Sequence, residues 1–387
     1  MSTLKVSSVQ HASAASPAIT LDASGQATLN GLAFPTSGSL SGRNRIINGD
    51  MRIDQRNAGA AVTVNANTSF FAVDRFVSFG QTSDGVFTVQ RSTTAPTGFT
   101  NSLIATITTA DASIGASQEY GISQIIEGFN VADLGWGAAG ASSVTLSFWT
   151  RSSVTGTHSG SFSNNAYNRA YVFSYSISAA NTWEYKTITI PGDTSGTWLT
   201  DNSTGIRLRW NLGSGSTWLG AVGAWGGTFF NGATGSVQLI STSGATFYIT
   251  GVQLEAGTVS TPFERRSYGQ ELALCQRYAI RFGNSSDVYS RFGLGECPSV
   301  TGSDISIPLP IEMRVAPTSL TTTGTPANYG LYSGGTLRTC ITGPVLANST
   351  NKLLLLAATT TGLAVGGVVQ FIQNNNTVAY LLASAEL

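Results

Sequence analysis

The sequence predicts an all-β chain built around one large antiparallel sandwich, and three observations carry that expectation. Apolar residues alternate with polar ones at period two in several runs, helix-like spacing is confined to one short stretch, and Gly, Ser, Thr and Asn fill the turns between. The composition suits such an architecture. Of 387 residues, 41% are hydrophobic and 10% aromatic, yet only 10% are charged, against ~25% in an average soluble domain. Core-forming material is plentiful, so the chain is not of the disordered class, which couples low hydrophobicity to high net charge.

Four regions follow one another. Residues 1–44 hold short β-like pieces (Leu4-Lys5-Val6, Ile19-Thr20-Leu21, Ala27-Thr28-Leu29) among small residues, and end in a flexible Gly/Ser/Pro run at 31–39. Such a segment encloses no core alone and orders only against a partner or copies of itself. Residues 45–265 contain all seven tryptophans. Here Val144, Leu146 and Phe148 alternate with Thr145, Ser147 and Trp149. Tyr171, Phe173, Tyr175 and Ile177 alternate with Val172, Ser174 and Ser176, and Ile206, Leu208 and Trp210 with Arg207 and Arg209. Half-buried antiparallel strands read this way, and so many of them argue for one sandwich.

Residues 266–280 read as a short connecting helix. Ser267 followed by Gln270 forms a capping box, and Gln270-Glu271-Leu272-Ala273-Leu274 are good helix formers. Tyr268, Leu272, Cys275 and Ala279 recur at spacings of four, three and four, a seam that faces either neighbouring subunits or the chain's own domain. Residues 281–387 return to strands as a smaller β domain. Asn374-Asn375-Asn376 reads as a hairpin loop between Val368–Ile372 and Val378–Leu382, since Asn tolerates left-handed φ. Pro308 and Pro310 place the strand at 305–311 on a sheet edge.

Lys+Arg and Asp+Glu number 20 each, so the formal net charge is zero. No basic surplus exists to release counterions from a phosphate backbone, and nucleic acid is not an expected partner. No run reaches about 18 apolar residues, and no signal-peptide core opens the chain, so membrane insertion is not expected and the protein reads as soluble. Cys275, Cys297 and Cys340 form an odd set without a C-x-x-C pair, read as buried reduced thiols made in a cytoplasm.

Catalytic patterns are scarce. The two histidines are His11, in the N-terminal segment, and His158, in a Gly/Ser/Thr turn lacking nucleophile-elbow spacing. Glu119, Glu127 and Asp133 are the nearest approach to the carboxylate pair of a glycosidase. The expectation is a protein that is not an enzyme. What the chain offers instead is aromatic rings on a β scaffold, able to stack on the apolar C–H faces of sugars. Trp149 falls on the face opposite the apolar set, with Arg151 two residues on. Trp198, Trp218 and Trp225 lie in Gly/Ser/Thr-rich loops, where binding residues concentrate. Tyr329 and Tyr332 are further candidates in the C-terminal domain.

Ile46-Ile47-Asn48-Gly49-Asp50-Met51 and the aromatic-rich Thr246-Phe247-Tyr248-Ile249-Thr250-Gly251-Val252-Gln253-Leu254-Glu255 bracket the central region. They resemble the first and last strands of carbohydrate-binding-module jelly rolls. In that family the closing strand carries paired Asp residues that help hold a structural calcium. Thr250-Gly251 stand in that place here, leaving Asp50 and Glu255 as the oxygen donors for such an ion.

The string 251–257, followed by Thr261-Pro262-Phe263-Glu264-Arg265-Arg266-Ser267-Tyr268 and Glu271-Leu272-Ala273-Leu274-Cys275-Gln276-Arg277-Tyr278, is more distinctive. With Val144–Trp149 and the ending Ala379-Tyr380 and Ser384-Ala385-Glu386-Leu387, it resembles a bacteriophage tail-fibre or tail-tip protein family. The resemblance implies a virion protein made in the host cytoplasm, usually a homotrimer, whose residues 1–44 attach to other tail or baseplate proteins. Its β domains would bind a host surface glycan or envelope component. The alternative it leaves open is an architectural part, an adaptor, collar or head-decorating fibre. Apart from the calcium, no cofactor is implied.

Overall fold

The computed structural model describes residues 6–10, 12–21, 23, 27–29, 32, 33, 42–82, 84–283 and 286–387. The chain divides into two compact units, Met1–Arg266 and Ser267–Leu387. The fold is nearly all β. Much of the 1–44 segment, including His11 and most of the flexible run, lies outside the described residues. Its described strands Ser8–Val9, Ile19–Leu21, Ala27–Leu29 and Leu32–Ala33 form a small antiparallel meander in that order. The piece read at 4–6 falls largely outside the described residues, and the first strand among the described residues is Ser8–Val9.

The rest of the first unit is a two-sheet jelly-roll sandwich. One sheet runs Trp225–Gly226, Ala170–Ile177, Gly156–Ser163, Thr204–Ser214, Glu119–Glu127, Phe76–Gln81, Thr68–Val73. The other runs Glu184–Ile190, Val144–Ser152, Thr246–Ala256, Ser102–Thr109, Val86–Ser92, Val62–Val64. All neighbours within these two sheets are antiparallel. The alternation explains the core. Val144, Leu146 and Phe148 from one sheet, and Ile206, Leu208 and Trp210 from the other, are buried in a single cluster. Phe148 spans the gap, its ring 5.8 Å from that of Trp210 and 5.1 Å from that of Tyr175.

His158 belongs to this interior. Its Nε2 lies 3.0 Å from the Val154 carbonyl, and its ring stacks with Tyr175 and Phe247. Burial holds its pKa below the ordinary 6.5. Above that pH both folded and unfolded chains carry it neutral; below it the unfolded chain takes up a proton that the folded one refuses. Stability therefore falls on acidification, by no more than about 1.4 kcal/mol per pH unit for one proton. Thermal melts at about pH 7.5 and about pH 5.5 check this, because His158→Gln is expected to lose less of its midpoint between them than the parent.

Residues 257–266 lie on the outer side of the six-stranded sheet and seal polar side chains that alternation alone would leave wet. Thr145, Ser147, Gln253 and Glu255 are all buried. Glu255 Oε1 accepts from the Thr261 N–H (2.8 Å) and Gln253 Nε2 (2.9 Å), and its Oε2 accepts from Thr261 Oγ1 (2.7 Å). Glu264 accepts from the Asn44 N–H at 2.7 Å, and Arg266 donates to the Ile46 carbonyl at 3.0 Å. The Asn48-Gly49 turn is locked here as well. Asn48 adopts φ +60° while its amide bonds both backbone groups of Ile53 and the Asp74 carbonyl. A Cβ on Gly49 would stand 2.2 Å from the Val252 oxygen. The two bracketing strings are thus two halves of one clasp.

In the second unit the helix is Tyr268–Gln276, with the Ser267/Gln270 capping box formed in both directions. The proposed seam is corrected. Ala279 lies beyond the helix, on the strand Ala279–Phe282, and both it and Cys275 are buried. Burial within the chain removes these two from any face offered to a neighbour, and only Tyr268 is well exposed. A seven-stranded sheet runs Thr336–Thr339, Tyr329–Ser333, Val368–Gln373, Arg291–Glu296, Gly302–Pro308, Leu353–Thr359, Thr342–Leu346. A three-stranded one runs Ala279–Phe282, Leu381–Ser384, Ser319–Thr322.

Two further expectations change. Asn375 does take a left-handed φ of +49°, but the strands around it sit in different sheets, so the turn is a sheet switch and not a hairpin. Asn376 Oδ1 accepts from the Ala379 N–H at 2.9 Å, which directs the chain to its new partner. The proline-bearing strand Gly302–Pro308 is internal to its sheet. Its pairing with Arg291–Glu296 covers only Asp304–Ser306, so Pro308, the last strand residue, faces no ladder on that side. Cys275, Cys297 and Cys340 are buried and form no disulfide among the described residues, and burial pushes the Cys340 thiol up to about 12. Among the described residues no helix is long and apolar enough to cross a membrane.

Candidate functional site

Parity along a strand decides which C-terminal tyrosine reaches solvent. Tyr329 and Leu331 point into the core of the second unit, whereas Tyr332, an odd step from Tyr329, points out. Tyr329 is therefore corrected to a core residue, and its hydroxyl donates to the Tyr380 carbonyl at 2.6 Å. Tyr332 sits opposite Gln370 in the ladder, and Gln370 sits opposite Leu294 on the strand that begins at Arg291. These strands form the wall of a groove of about 380 Å³ lined by Tyr289, Arg291, Tyr332, Leu337, Gln370 and Ile372.

Within the groove Tyr289 and Tyr332 are 45% and 40% exposed. Tyr289 is set in place by a turn in which Asp287 Oδ1 accepts its backbone N–H at 2.9 Å. Arg291 Nε donates to Gln370 Oε1 at 2.8 Å. That bond orients the exposed guanidinium, and both side chains line the groove with N–H groups not used in the bond between them. Two rings and a fork of donors can stack on a sugar face and bond its hydroxyls. The sequence reading named Tyr332 but not Tyr289, Arg291 or Gln370, which come together only through strand pairing; the Asp-x-Tyr turn was the local signal for Tyr289.

A second aromatic surface lies on the outer side of the six-stranded sheet. Trp149 is half-buried and paired in register with Tyr185, their ring centroids 5.4 Å apart. Arg151 lies over the Tyr248 ring at 5.0 Å and donates to the Asn181 carbonyl. Gly251, at φ +61°, marks the ladder irregularity opposite Ser147/Trp149. A Cβ there would lie 2.7 Å from the Phe99 ring and 3.1 Å from that of Trp149, so glycine lets the two rings close up. Tyr185, Tyr248 and Phe99 were not among the sequence candidates.

Trp136, Trp198, Trp218 and Trp225 each pack against other aromatic rings. Trp136, Trp198 and Trp225 form an edge-to-face triad with centroids 4.8–5.4 Å apart. Trp198 is buried, its Nε1 near Asp193 Oδ2 and the Ser195 carbonyl. Trp225 donates to the Pro191 carbonyl at 2.7 Å and packs on Tyr171. Trp218 leans on Phe229 and donates to the Ser117 carbonyl. Trp198 is buried and so offers no open face, whereas Trp218 and Trp225, each tied to a carbonyl and an aromatic neighbour, stay half-buried with part of the indole accessible.

The calcium expectation fails on the donor set. Asp50 keeps a buried Oδ1 without a hydrogen bond, but its Oδ2 is held by Arg52 at 2.5 Å. Both Glu255 oxygens are committed to Thr261 and Gln253. Among the described residues no three His, Cys, Asp or Glu side chains converge. The acidic trio does not converge either. Glu119 and Glu127 stand at opposite ends of one strand, about 26 Å apart at 3.3 Å per residue. Asp133 pairs with Arg45 at 2.5 Å.

No family profile matches the chain, and no curated protein does. Solved structures match in part. The enzymatically active domain of bacteriophage CBA120 tailspike protein 4 aligns at 13% identity and TM-score 0.29, over 55% of this chain and 21% of that one. The chain thus spans about a fifth of that tailspike domain. A putative sugar binding protein from Bacteroides thetaiotaomicron aligns at 11% and 0.31, over 56% and 100%. The family 11 carbohydrate-binding module of a Clostridium thermocellum cellulosomal cellulase aligns at 13% and 0.27, over 51% and 99%. Likeness at this level assigns no ligand to this chain.

Proposed function

We propose that this chain is a non-enzymatic, glycan-binding bacteriophage tail protein that adheres to a host surface glycan. The groove of the second unit carries the reading. Two exposed tyrosine rings, beside an Arg291–Gln370 pair with donors to spare, match the amphipathic character of a sugar, apolar on its faces and polar at its rim. The Trp149/Tyr185 surface adds a second platform, and several weak contacts on one particle multiply into firm adhesion. Attachment through residues 1–44 and assembly as a homotrimer belong to the same proposal. His158 sealed in the core and Glu119 distant from Glu127 support its non-enzymatic part.

The experiment is adsorption of the purified chain to host cells and to their extracted polysaccharide. Tyr332→Ala is expected to weaken binding about tenfold or more, as loss of one stacked ring and its hydroxyl does, with the fold unchanged. Equal binding by parent and variant would remove the groove from the mechanism. Light scattering across dilution is expected to return three times the chain mass, and a persistent monomer overturns the trimer.

One observation favours the architectural reading. Leu294, Val345 and Val368 lie on one face of the second unit's large sheet and are each more than half exposed. An aliphatic patch of that kind suits contact with protein. Under this reading the chain stays on the particle and does not compete with infection; under the adhesive one it does.

A further inference from the structure

In the first unit, the outer face of the sheet that contains Gly156–Ser163 and Thr204–Ser214 holds a cluster that the glycan platforms do not use. Ile206, Leu208 and Trp210 point inward, so Arg207 and Arg209 point outward from the same strand. Arg209 is 9% exposed, with Phe79 and Phe229 rings at 4.8 and 4.7 Å from its guanidinium carbon. Its Nη1 pairs with Glu119 at 3.2 Å and its Nη2 donates to the Tyr167 hydroxyl at 3.0 Å. Arg209 is satisfied as an ion.

Arg207 is not. Its guanidinium lies 5.0 Å from the centre of the Tyr167 ring, and its Nη2 reaches Asn165 Oδ1 and Thr204 Oγ1 only at 3.3 and 3.4 Å. Among the described residues no carboxylate pairs with it. Burial and the neighbouring Arg209 charge lower its pKa, which registers the same imbalance. Two cations and one anion leave a net positive charge where water is partly excluded, an arrangement that costs stability unless an anion completes it.

Two further observations mark a built site. Ser163 and Ser161 stand directly opposite Arg207 and Arg209 in the ladder and therefore share their face. Both are nearly fully buried, and neither hydroxyl has a hydrogen-bond partner among the described residues. Above them Tyr167 holds a left-handed φ of +55°, an uncommon conformation for an aromatic residue. Asn164 enforces it, accepting from the backbones of Asn168 and Arg169 and donating to the Thr197 carbonyl. The turn spends strain to keep a ring against Arg207.

We propose that Arg207, with Ser163 and Asn165 beside it, binds one singly charged oxyanion group carried on a saccharide, either a sugar carboxylate or a phosphodiester. The guanidinium supplies charge and paired donors, the serine a hydroxyl, and the Tyr167 ring a wall for the adjoining sugar. The saccharide carrier rests on the glycan-binding reading above; the anion site itself does not.

The test is calorimetric titration of the full chain with digalacturonate, with the matching neutral galactose disaccharide, and with glycerophosphoglycerol. At least one anion is expected to bind, and the arm that does so identifies its chemistry. Raising salt from about 20 to about 300 mM weakens that binding. Arg207→Gln lowers it about tenfold or more and leaves the neutral sugar unchanged, whereas Tyr332→Ala does the reverse. Asn165→Ala, in an exposed turn, gives a smaller loss if Arg207→Gln folds poorly. Anion binding without neutral-sugar binding supports this site while counting against the groove. Failure of both anions at low salt, or equal anion affinity in Arg207→Gln and the parent, overturns the proposal.

Discussion

Glu255→Ala is expected to cost about 3–5 kcal/mol of stability, the usual consequence of removing one member of a buried charged network. The carboxylate is 1% exposed. Without it the Thr261 backbone N–H and the Thr261 hydroxyl lose their acceptor together, and the Gln253 amide keeps only its longer contacts to Thr261 and Pro262. Arg43, whose Nε stands 3.7 Å from Glu255 Oε2, loses its counter-charge. Residues 257–266 then no longer cover the outer side of the six-stranded sheet. Urea denaturation measures the loss, and Glu255→Gln should recover part of it by keeping one acceptor. Calcium and a chelator should leave the parent's midpoint unchanged, because the network is closed by protein donors. A midpoint that rises with calcium and falls with chelator would contradict this account of Asp50 and Glu255.

Asp193→Ala is expected to cost a similar amount, about 3–5 kcal/mol. Asp193 is buried and takes Arg169 in a two-point grip, Nε to Oδ2 and Nη2 to Oδ1, both at 2.7 Å. The grip raises the arginine's pKa further. The same carboxylate accepts from the Ser195 backbone and approaches Trp198 Nε1. Its removal strands the guanidinium and loosens the Trp136/Trp198/Trp225 triad, so tryptophan emission should shift to the red before global unfolding. Glycan binding measured below the lowered midpoint should be unaffected. If it is lost while the chain remains folded, Trp198 returns as a contact residue.

Much of the fold was legible because it rests on local periodicity. The Val144/Leu146/Phe148 and Ile206/Leu208/Trp210 sets needed only alternation to be assigned inward, and Ser267 with Gln270 needed only a spacing of three. The site was less legible because its parts are far apart in sequence. Tyr332 was named, but its partners Tyr289, Arg291 and Gln370 come from three other places along the chain, and the register that unites them is a property of pairing. Trp198 misled because a Gly/Ser-rich loop looks exposed until its path over the sheets is known.

By itself, then, the sequence determined the class: β strands with one face apolar, turns of small residues, one capped helix, and no surplus of charge. Tertiary structure alone decided which strands are neighbours, that Asn374–Asn376 switches sheets, that Glu255 closes a clasp, and that Arg207 meets no carboxylate among the described residues. The physical reason is range. Side-chain direction follows from the next residue along the backbone, whereas pairing and charge balance depend on residues tens to hundreds of positions away, brought close only when the core forms.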